Sequence, residues 1–498
     1  MAARAWRGVA LRFTFATGLE PNFTMPFRST AMTASTLCTI TAGGVAARRW
    51  RALGSLCILG LLVACGGSPG GGAGPVAPVP PPLGSDTSNS ATAAYGVLGT
   101  ASLRVAFVPS PGGVMPFLLE NTGTQTVTWG GPADGTGLTP TVPFTFPIDA
   151  CAVSSSELKA VCIGFASSRV GVLDLARFAN GLRVSDIAVQ EFDSGAGNVA
   201  NIYSGGTCIL CGVVVDAGKP RYIIGGAGGF RVFNFGSNAA VATYDIPVGE
   251  NFAFLPQTGA SSYIIAPEYE PAGGNRKLRV VAMDSGKSYI WNKNTDSPAD
   301  LGTAGAAFIF SEVDAAAVDI NTRMIALSTE SSAEFMLVDF GQAVFDELAQ
   351  TFSAPFAFAK PNPATSVARL TDIAISTAGS ILLSHGEGVG NIGVTQLPAA
   401  LTGSVGALGV LDLNDPALDR SPCGAAFVFA GKRDPHGLSL YAGIDNGQRG
   451  LVIDLGNVCA AIVDLAGLRD APRSATDPNL IDTASAAVRA RVKFVKMR

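Results

Sequence analysis

Short apolar runs that close on an acidic or amide residue return along this 498-residue chain at intervals of 50 to 60. Turn dipeptides rich in Gly, Asn and Asp separate them, and no long amphipathic helix pattern develops past residue 100. Three or four strand-length runs fit within each interval. Together these observations predict an all-β fold, a β-propeller of about seven blades with three to four antiparallel strands each.

In chain order, residues 1–47 match no targeting class, and Met32 and Val45 are alternative start positions. A basic cluster, Arg48-Arg49-Trp50-Arg51, then precedes the 13-residue apolar run Ala52–Ala64. At about 1.5 Å per residue such a run is too short to cross a hydrocarbon core of about 30 Å. A basic segment, a short apolar segment and a small residue form the secretory pattern. The run ends Leu62-Val63-Ala64-Cys65 and continues Gly66-Gly67-Ser68. This looks like a bacterial lipoprotein signal peptide with its lipobox. The resemblance implies cleavage before Cys65, a lipid on Cys65 and an anchor in the outer membrane, since Gly66 rather than Asp follows. A twin-arginine reading of Arg48-Arg49 is matched poorly by the flanking residues. The expected organisation is a leader over 1–64, a lipidated Cys and Gly/Pro/Ser linker over 65–94, and a propeller over 95–498.

Charge argues against one class of partner. The leader carries seven arginines and one glutamate, so the remainder holds 27 basic against 37 acidic residues, a formal charge of −10. Nucleic-acid affinity rests on cationic phosphate contacts, so a nucleic-acid partner is not expected. Charged residues make up 14% of the chain, against about 25% in an average domain. Gly66–Gly72 loosens the linker, and Pro80-Pro81-Pro82 stiffens it toward polyproline II.

The repeats begin clearly at Val172-Leu173-Asp174-Leu175. They return as Val232-Phe233-Asn234-Phe235, Val281-Ala282-Met283-Asp284, Leu337-Val338-Asp339-Phe340 and Val452-Ile453-Asp454-Leu455. Ile392-Gly393-Val394-Thr395 fills the long gap, with Thr395 in the aspartate slot. The intervals are then 60, 50, 55, 56 and 59. Thr126-Val127-Thr128-Trp129 is read as the end of an earlier unit. Val410-Leu411-Asp412-Leu413 falls out of phase and is assigned to the first strand of the next one. Within one unit, Ala316–Ile320, Met324–Leu327 and Phe335–Phe340 read as three strands joined by turns. The unit ending at Asn234 repeats that order. The tail, Val488–Val495, alternates apolar and basic residues and reads as a strand able to close the ring against the blade from the other end.

These runs resemble bacterial propellers of the loosely WD40-like, YVTN-type class, where a strand such as Arg221-Tyr222-Ile223-Ile224 is followed by a closing Val-x-Asp strand. The resemblance covers about residues 100–465, without any Trp-Asp dipeptide. A quinoprotein propeller needs repeated tryptophans between blades, and only Trp129 and Trp291 follow the leader.

Six cysteines follow Cys65: Cys151, Cys162, Cys208, Cys211, Cys423 and Cys459. An even count in an exported chain points to disulfides. A two-residue turn at Ser156-Glu157 sets Cys151 directly opposite Cys162, within disulfide reach. The pairs Cys208–Cys211 and Cys423–Cys459 follow by elimination. The Cys208-Ile209-Leu210-Cys211 spacing also leaves zinc or thiol redox chemistry open, although no second Cys pair stands at zinc-ribbon spacing. The two histidines, His385 and His436, sit in turn sequences and define no triad. Gly386-Glu387-Gly388-Val389-Gly390 has no helix behind it and is not a phosphate loop. The recurring aspartates are expected to bond backbone N–H groups at strand ends.

Function in such a ring is expected on loops at one mouth, with Pro267–Asn275 and Leu397–Leu408 as the longest insertions. The expectation is a binding or scaffold module of the cell envelope, with a protein or glycan partner, a lipid anchor and no cofactor or metal. The enzymatic alternative is a metal-dependent hydrolase of lactonase-like propeller type, using Asp319, Asp372 and Glu268 as oxygen ligands.

Overall fold

Runs such as Val213-Val214-Val215 and Ile223-Ile224 are β-branched and bounded by turn formers, and they become strands buried on both faces. The computed structural model describes the chain between Ala94 and Met497, apart from stretches of which the longest are 119–126, 131–139, 197–207, 269–276, 294–312, 360–371 and 431–437. The leader, Cys65 and the linker lie outside the described residues.

Seven sheets follow one another. Blade 1 holds β1 (Ala94–Leu98), β2 (Leu103–Ser110), β3 (Gly113–Leu118) and β4 (Val142–Pro143). Blade 2 holds β5 (Ala150–Ser154), β6 (Lys159–Ile163), β7 (Arg169–Asp174) and β8 (Ala188–Asp193). In blade 3 come β9 (Leu210–Asp216), β10 (Arg221–Gly226), β11 (Gly229–Asn234) and β12 (Ala240–Tyr244). Blade 4 has β13 (Ala253–Leu255), β14 (Tyr263–Glu268), β15 (Lys277–Ala282) and β16 (Lys287–Trp291). Blade 5 has β17 (Val313–Asp319), β18 (Met324–Thr329) and β19 (Phe335–Asp339). A hairpin then intervenes, β20 (Val344–Asp346) and β21 (Thr351–Ser353), before the blade ends on β22 (Phe356–Ala359). Blade 6 comprises β23 (Asp372–Ser376), β24 (Ile381–His385), β25 (Asn391–Gln396) and β26 (Ala407–Asp412). Blade 7 comprises β27 (Leu438–Ala442), β28 (Gln448–Ile453), β29 (Cys459–Asp464) and β30 (Val492–Lys496).

The first strands lie side by side in the order β1, β5, β9, β13, β17, β23, β27 and back to β1, which closes a seven-bladed ring. Apolar side chains fill each seam. Blades 5 and 6 meet through Ala315, Ala317, Leu337, Ile373, Ile375 and Leu382, all essentially buried. A ring grows in this way past the size where a single core splits, because each blade packs only on its neighbours.

Antiparallel order sorts the connections onto two faces. The links between blades and the turns from second to third strand share what we call the linker face. The turns from first to second strand and the excursions from third to fourth share the excursion face. Backbone bonds agree: on the linker face Ile209 N–H donates to Phe165 O at 2.5 Å, and Ala227 N–H to Ile209 O at 3.0 Å.

Among the described residues, three backbone pairings tie an excursion to another blade. Thr128 bridges Arg183, so that blade 1's excursion meets blade 2's. The stretch 465–491 of blade 7 lays Ile481 and Asn479 along Val410 of β26 at 2.8 and 2.9 Å. The blade 5 hairpin adds β21 to β16 as a parallel pair, Ile290 opposite Thr351 and Trp291 opposite Phe352. At the hairpin turn Glu347 accepts from Lys287 Nζ at 2.6 Å and Tyr289 Oη at 2.7 Å. Lys287 and Glu347 are both more than half exposed, so solvent screens their ion pair and it adds little. Burying Phe352 contributes more, about 1.5–3 kcal/mol.

Seven blades were the sequence's count, but two of its markers belong elsewhere. Val127–Trp129 lies in the blade 1 excursion, and that blade's third strand is β3, while Thr126 is outside the described residues. Asp454 follows β28, a second strand, and the third strand of blade 7 ends at Asp464. The Val-x-Asp signature marks a capped strand end, and second strands carry it as well as third ones. The closing strands are third of four, and Val410–Leu413 belongs to the outermost strand of blade 6 rather than to the next unit. The C-terminal strand also departs from expectation. It begins at Val492 after a helical turn, Ala486–Arg489, and pairs with β29 of its own blade. Among the described residues the ring closes instead by packing Ala106, Val108, Met115 and Phe117 on Leu451, Ile453, Ile462 and Met497.

Candidate binding face

The linker face is braced covalently. Cys151, second residue of β5, stands opposite Cys162 of β6 and is bonded to it. Cys208 and Cys211 are joined as a disulfide where the chain enters β9, rather than held apart as zinc ligands. Cys423 is joined to Cys459, which opens β29. All three bonds lie at the linker-face ends of their strands.

The largest described feature of this face is the link from blade 6 to blade 7, residues 413–430. Asn414 is its hub: its amide donates to Phe429 O at 2.7 Å, and its Oδ1 accepts from Phe429 N–H at 2.7 Å and Arg420 Nη1 at 3.1 Å. Arg420 Nη1 also reaches Phe427 O at 3.2 Å. Asp419 accepts from the Ser421 hydroxyl and N–H, which hold its carboxyl below the usual range. The disulfide and the approach of Phe429 to Phe494, 6.2 Å between centroids, pin this lobe to blade 7. Val428 stands out from it, 68% exposed. Beneath lies Gly390, where a Cβ would press into the Asn414 amide, so glycine is required. Gly386 and Gly390 flank a reversal under the lobe, with Val389 N–H turned back to Gly386 O, and residues 387 and 388 lie outside the described residues.

Beside that turn Asp372 and His385 face each other across β23 and β24, both buried. His385 Nε2 lies 3.0 Å from Val389 O. A carbonyl only accepts, so Nε2 carries the proton. Burial pushes the ring's pKa down to about 4 against the pull of that bond, and His385 is neutral at pH 7. Its Nδ1 has no partner. His436 lies outside the described residues.

The structure does not assemble the three candidate ligands of the hydrolase alternative. Asp319 ends β17 on the excursion face, where it accepts from Asn321 N–H at 3.0 Å and Thr322 Oγ1 at 2.8 Å. Asp372 and Glu268 are on the linker face but two blades apart. Glu268 is held in a paired contact by Arg279, 2.9 and 3.2 Å. Among the described residues no three His, Cys, Asp or Glu side chains converge on a metal-sized site. The two long insertions also separate: Pro267 and Glu268 belong to β14, whose end meets the linker face, while Leu397–Leu408 leads from β25 to β26 on the excursion face.

The recurrent aspartates act on backbone at strand ends. Asp174 accepts from Ala176 N–H at 3.0 Å and from Lys159 Nζ at 3.0 Å, and these bonds lower its pKa. Asp454 accepts from Gly456 N–H at 2.7 Å and from Cys459 N–H. Arg279 and the Asn414 hub went unread in the sequence. Arg279 reaches Glu268 diagonally across a hairpin whose register the sequence alone does not set.

No protein-family model matches the chain, and no curated protein matches it. Several solved structures are similar to the chain at low identity and low TM-score. Hsv2 of Kluyvelomyces marxianus is 8% identical, with 76% of this chain and 93% of that one covered and a TM-score of 0.40. KlAtg21, solved in complex with the coiled coil of AgAtg16, is 9% identical over 72% and 93%, TM-score 0.41. A putative 6-phosphogluconolactonase of Bacteroides fragilis is 11% identical over 82% and 99%, TM-score 0.33. These likenesses concern the fold alone.

Proposed function

We propose that the protein is a binding or scaffold module of the cell envelope, an exported lipoprotein anchored through Cys65, whose linker face takes a protein or glycan partner. The observation that carries this reading is the placement of all three disulfides on that face. Cross-links at a surface rather than through the core fix loops in one conformation, and a preorganised surface loses less entropy on binding. Disulfides also fit an oxidising compartment, as the lipobox resemblance requires. The hydrolase alternative is weaker, because Glu268 and Asp319 already spend their oxygens on neighbours.

Two experiments test the reading. Cys65→Ser moves the protein from the membrane to the soluble fraction; a variant that stays membrane-bound contradicts the anchor. Deleting residues 269–275, which follow the linker-face end of β14 in sequence, leaves a cooperative melt but loses the partner captured by crosslinking. Capture that survives the deletion removes that loop from the contact surface.

A further inference from the structure

The blade 5 hairpin docks on blade 4 in an unusual way. Every other ladder between named strands is antiparallel, whereas β21 meets β16 in parallel over two residues. Ile290 N–H donates to Gln350 O at 3.0 Å, and Asn292 N–H to Phe352 O at 2.9 Å. The side chains that hold it are aromatic. Phe352 is buried against Phe340, and Phe345 stacks on Tyr263 and meets Tyr289 edge-on at 4.7 Å. The outward side is unsatisfied by any packing: Val344 is 67% and Leu348 97% exposed, two of the four strongly exposed large apolar side chains among the described residues.

Without the hairpin, β16 is an open sheet edge with two free N–H donors and an aromatic recess lined by Tyr263, Tyr289 and Phe340. Such an edge accepts an extended peptide: main-chain bonds supply affinity and the recess selects the side chain. We propose that the outer edge of blade 4 is an acceptor site for an extended peptide strand bearing an aromatic residue, and that the hairpin is its displaceable occupant in cis. The occupant's chemistry is read from the hairpin itself, Thr351-Phe352 with Phe345 beside it. The attachment to be displaced is two backbone bonds, the Glu347 bonds to Lys287 and Tyr289, and the packing of Phe345 and the buried Phe352. This site is on the rim, separate from the linker face, and does not depend on the reading above.

The test replaces residues 343–354 with a short Gly–Ser linker and uses a fluorescent synthetic peptide copying 343–354 as probe. The peptide is expected to bind the linker variant about tenfold or more tightly than wild type. Binding slows hydrogen exchange at Ile290 and Asn292, and a Phe352→Ala peptide loses about tenfold or more. The proposal is overturned if a cooperatively melting linker variant does not bind, if binding leaves those two amides unprotected, or if wild type binds equally well. If the linker variant does not melt cooperatively, Phe345→Ala in the full chain decides: the peptide either slows exchange at Ile290 and Asn292, as proposed, or leaves it unchanged, which overturns the proposal.

Discussion

The two faces of the ring secure their irregular chain by different means. On the linker face, segments passing between blades are tied by disulfides: Cys208–Cys211 at the entrance to blade 3 and Cys423–Cys459 at the entrance to the third strand of blade 7. On the excursion face, long returns are tied by backbone pairing, as at Thr351 on Ile290 and Ile481 on Val410. The difference teaches where surface remains for a partner. Excursions that pair with a blade edge have used their backbone groups. The 413–430 lobe bonds chiefly to itself and to one disulfide, and it still presents Val428 to solvent.

Breaking the long disulfide gives the largest expected effect. Cys423 and Cys459 are 36 residues apart, and in the chain-entropy account such a loop contributes about 4 kcal/mol, against about 2 kcal/mol for the three-residue spacing of Cys208–Cys211. Urea melts of Cys423→Ser/Cys459→Ser and Cys208→Ser/Cys211→Ser variants check this order. Equal losses contradict a bracing role that scales with the segment held.

Acid sharpens the comparison next, because His385 lies under the lobe. Its pKa is about 4 in the folded protein and ordinarily 6.5. The unfolded chain therefore takes up a proton that the folded chain refuses. The stabilisation is whole above pH 6.5 and is lost as pH falls toward 4, amounting to about 2 kcal/mol at pH 5. Wild type is expected to lose more melting temperature between pH 7 and pH 5 than His385→Gln. Parallel behaviour of the two proteins refutes a buried, neutral His385.

The sequence disclosed the repeat because each blade buries both strand faces, so apolar runs stand out from turns without ambiguity. It disclosed Cys151–Cys162 because a short turn sets register between adjacent strands. It placed Asp454 wrongly because an aspartate after an apolar run caps any strand, and Trp129 wrongly because spacing alone, with no aspartate in the run, was its warrant. The hairpin was hidden because Val344–Ser353 looks like ordinary third-to-fourth strand sequence, and its partner β16 lies more than fifty residues upstream in another blade. The ring's closure was misread because an alternating tail fits an edge of its own blade as well as one from the far end. The linker face was invisible as a face, since strand count and direction, not residue type, decide which loops meet. That is why Pro267–Asn275 and Leu397–Leu408 were grouped although they emerge on opposite sides.

The most direct measurement of the central claim is a matched pair of photocrosslinkers, one at Val428 in the lobe and one at Ser285 in the exposed turn between β15 and β16 on the excursion face. The account predicts that an envelope partner is captured from Val428 and not from Ser285, and that Cys423→Ser/Cys459→Ser abolishes the capture while the ring stays folded. Capture from Ser285 alone, or capture from Val428 indifferent to the disulfide, contradicts it.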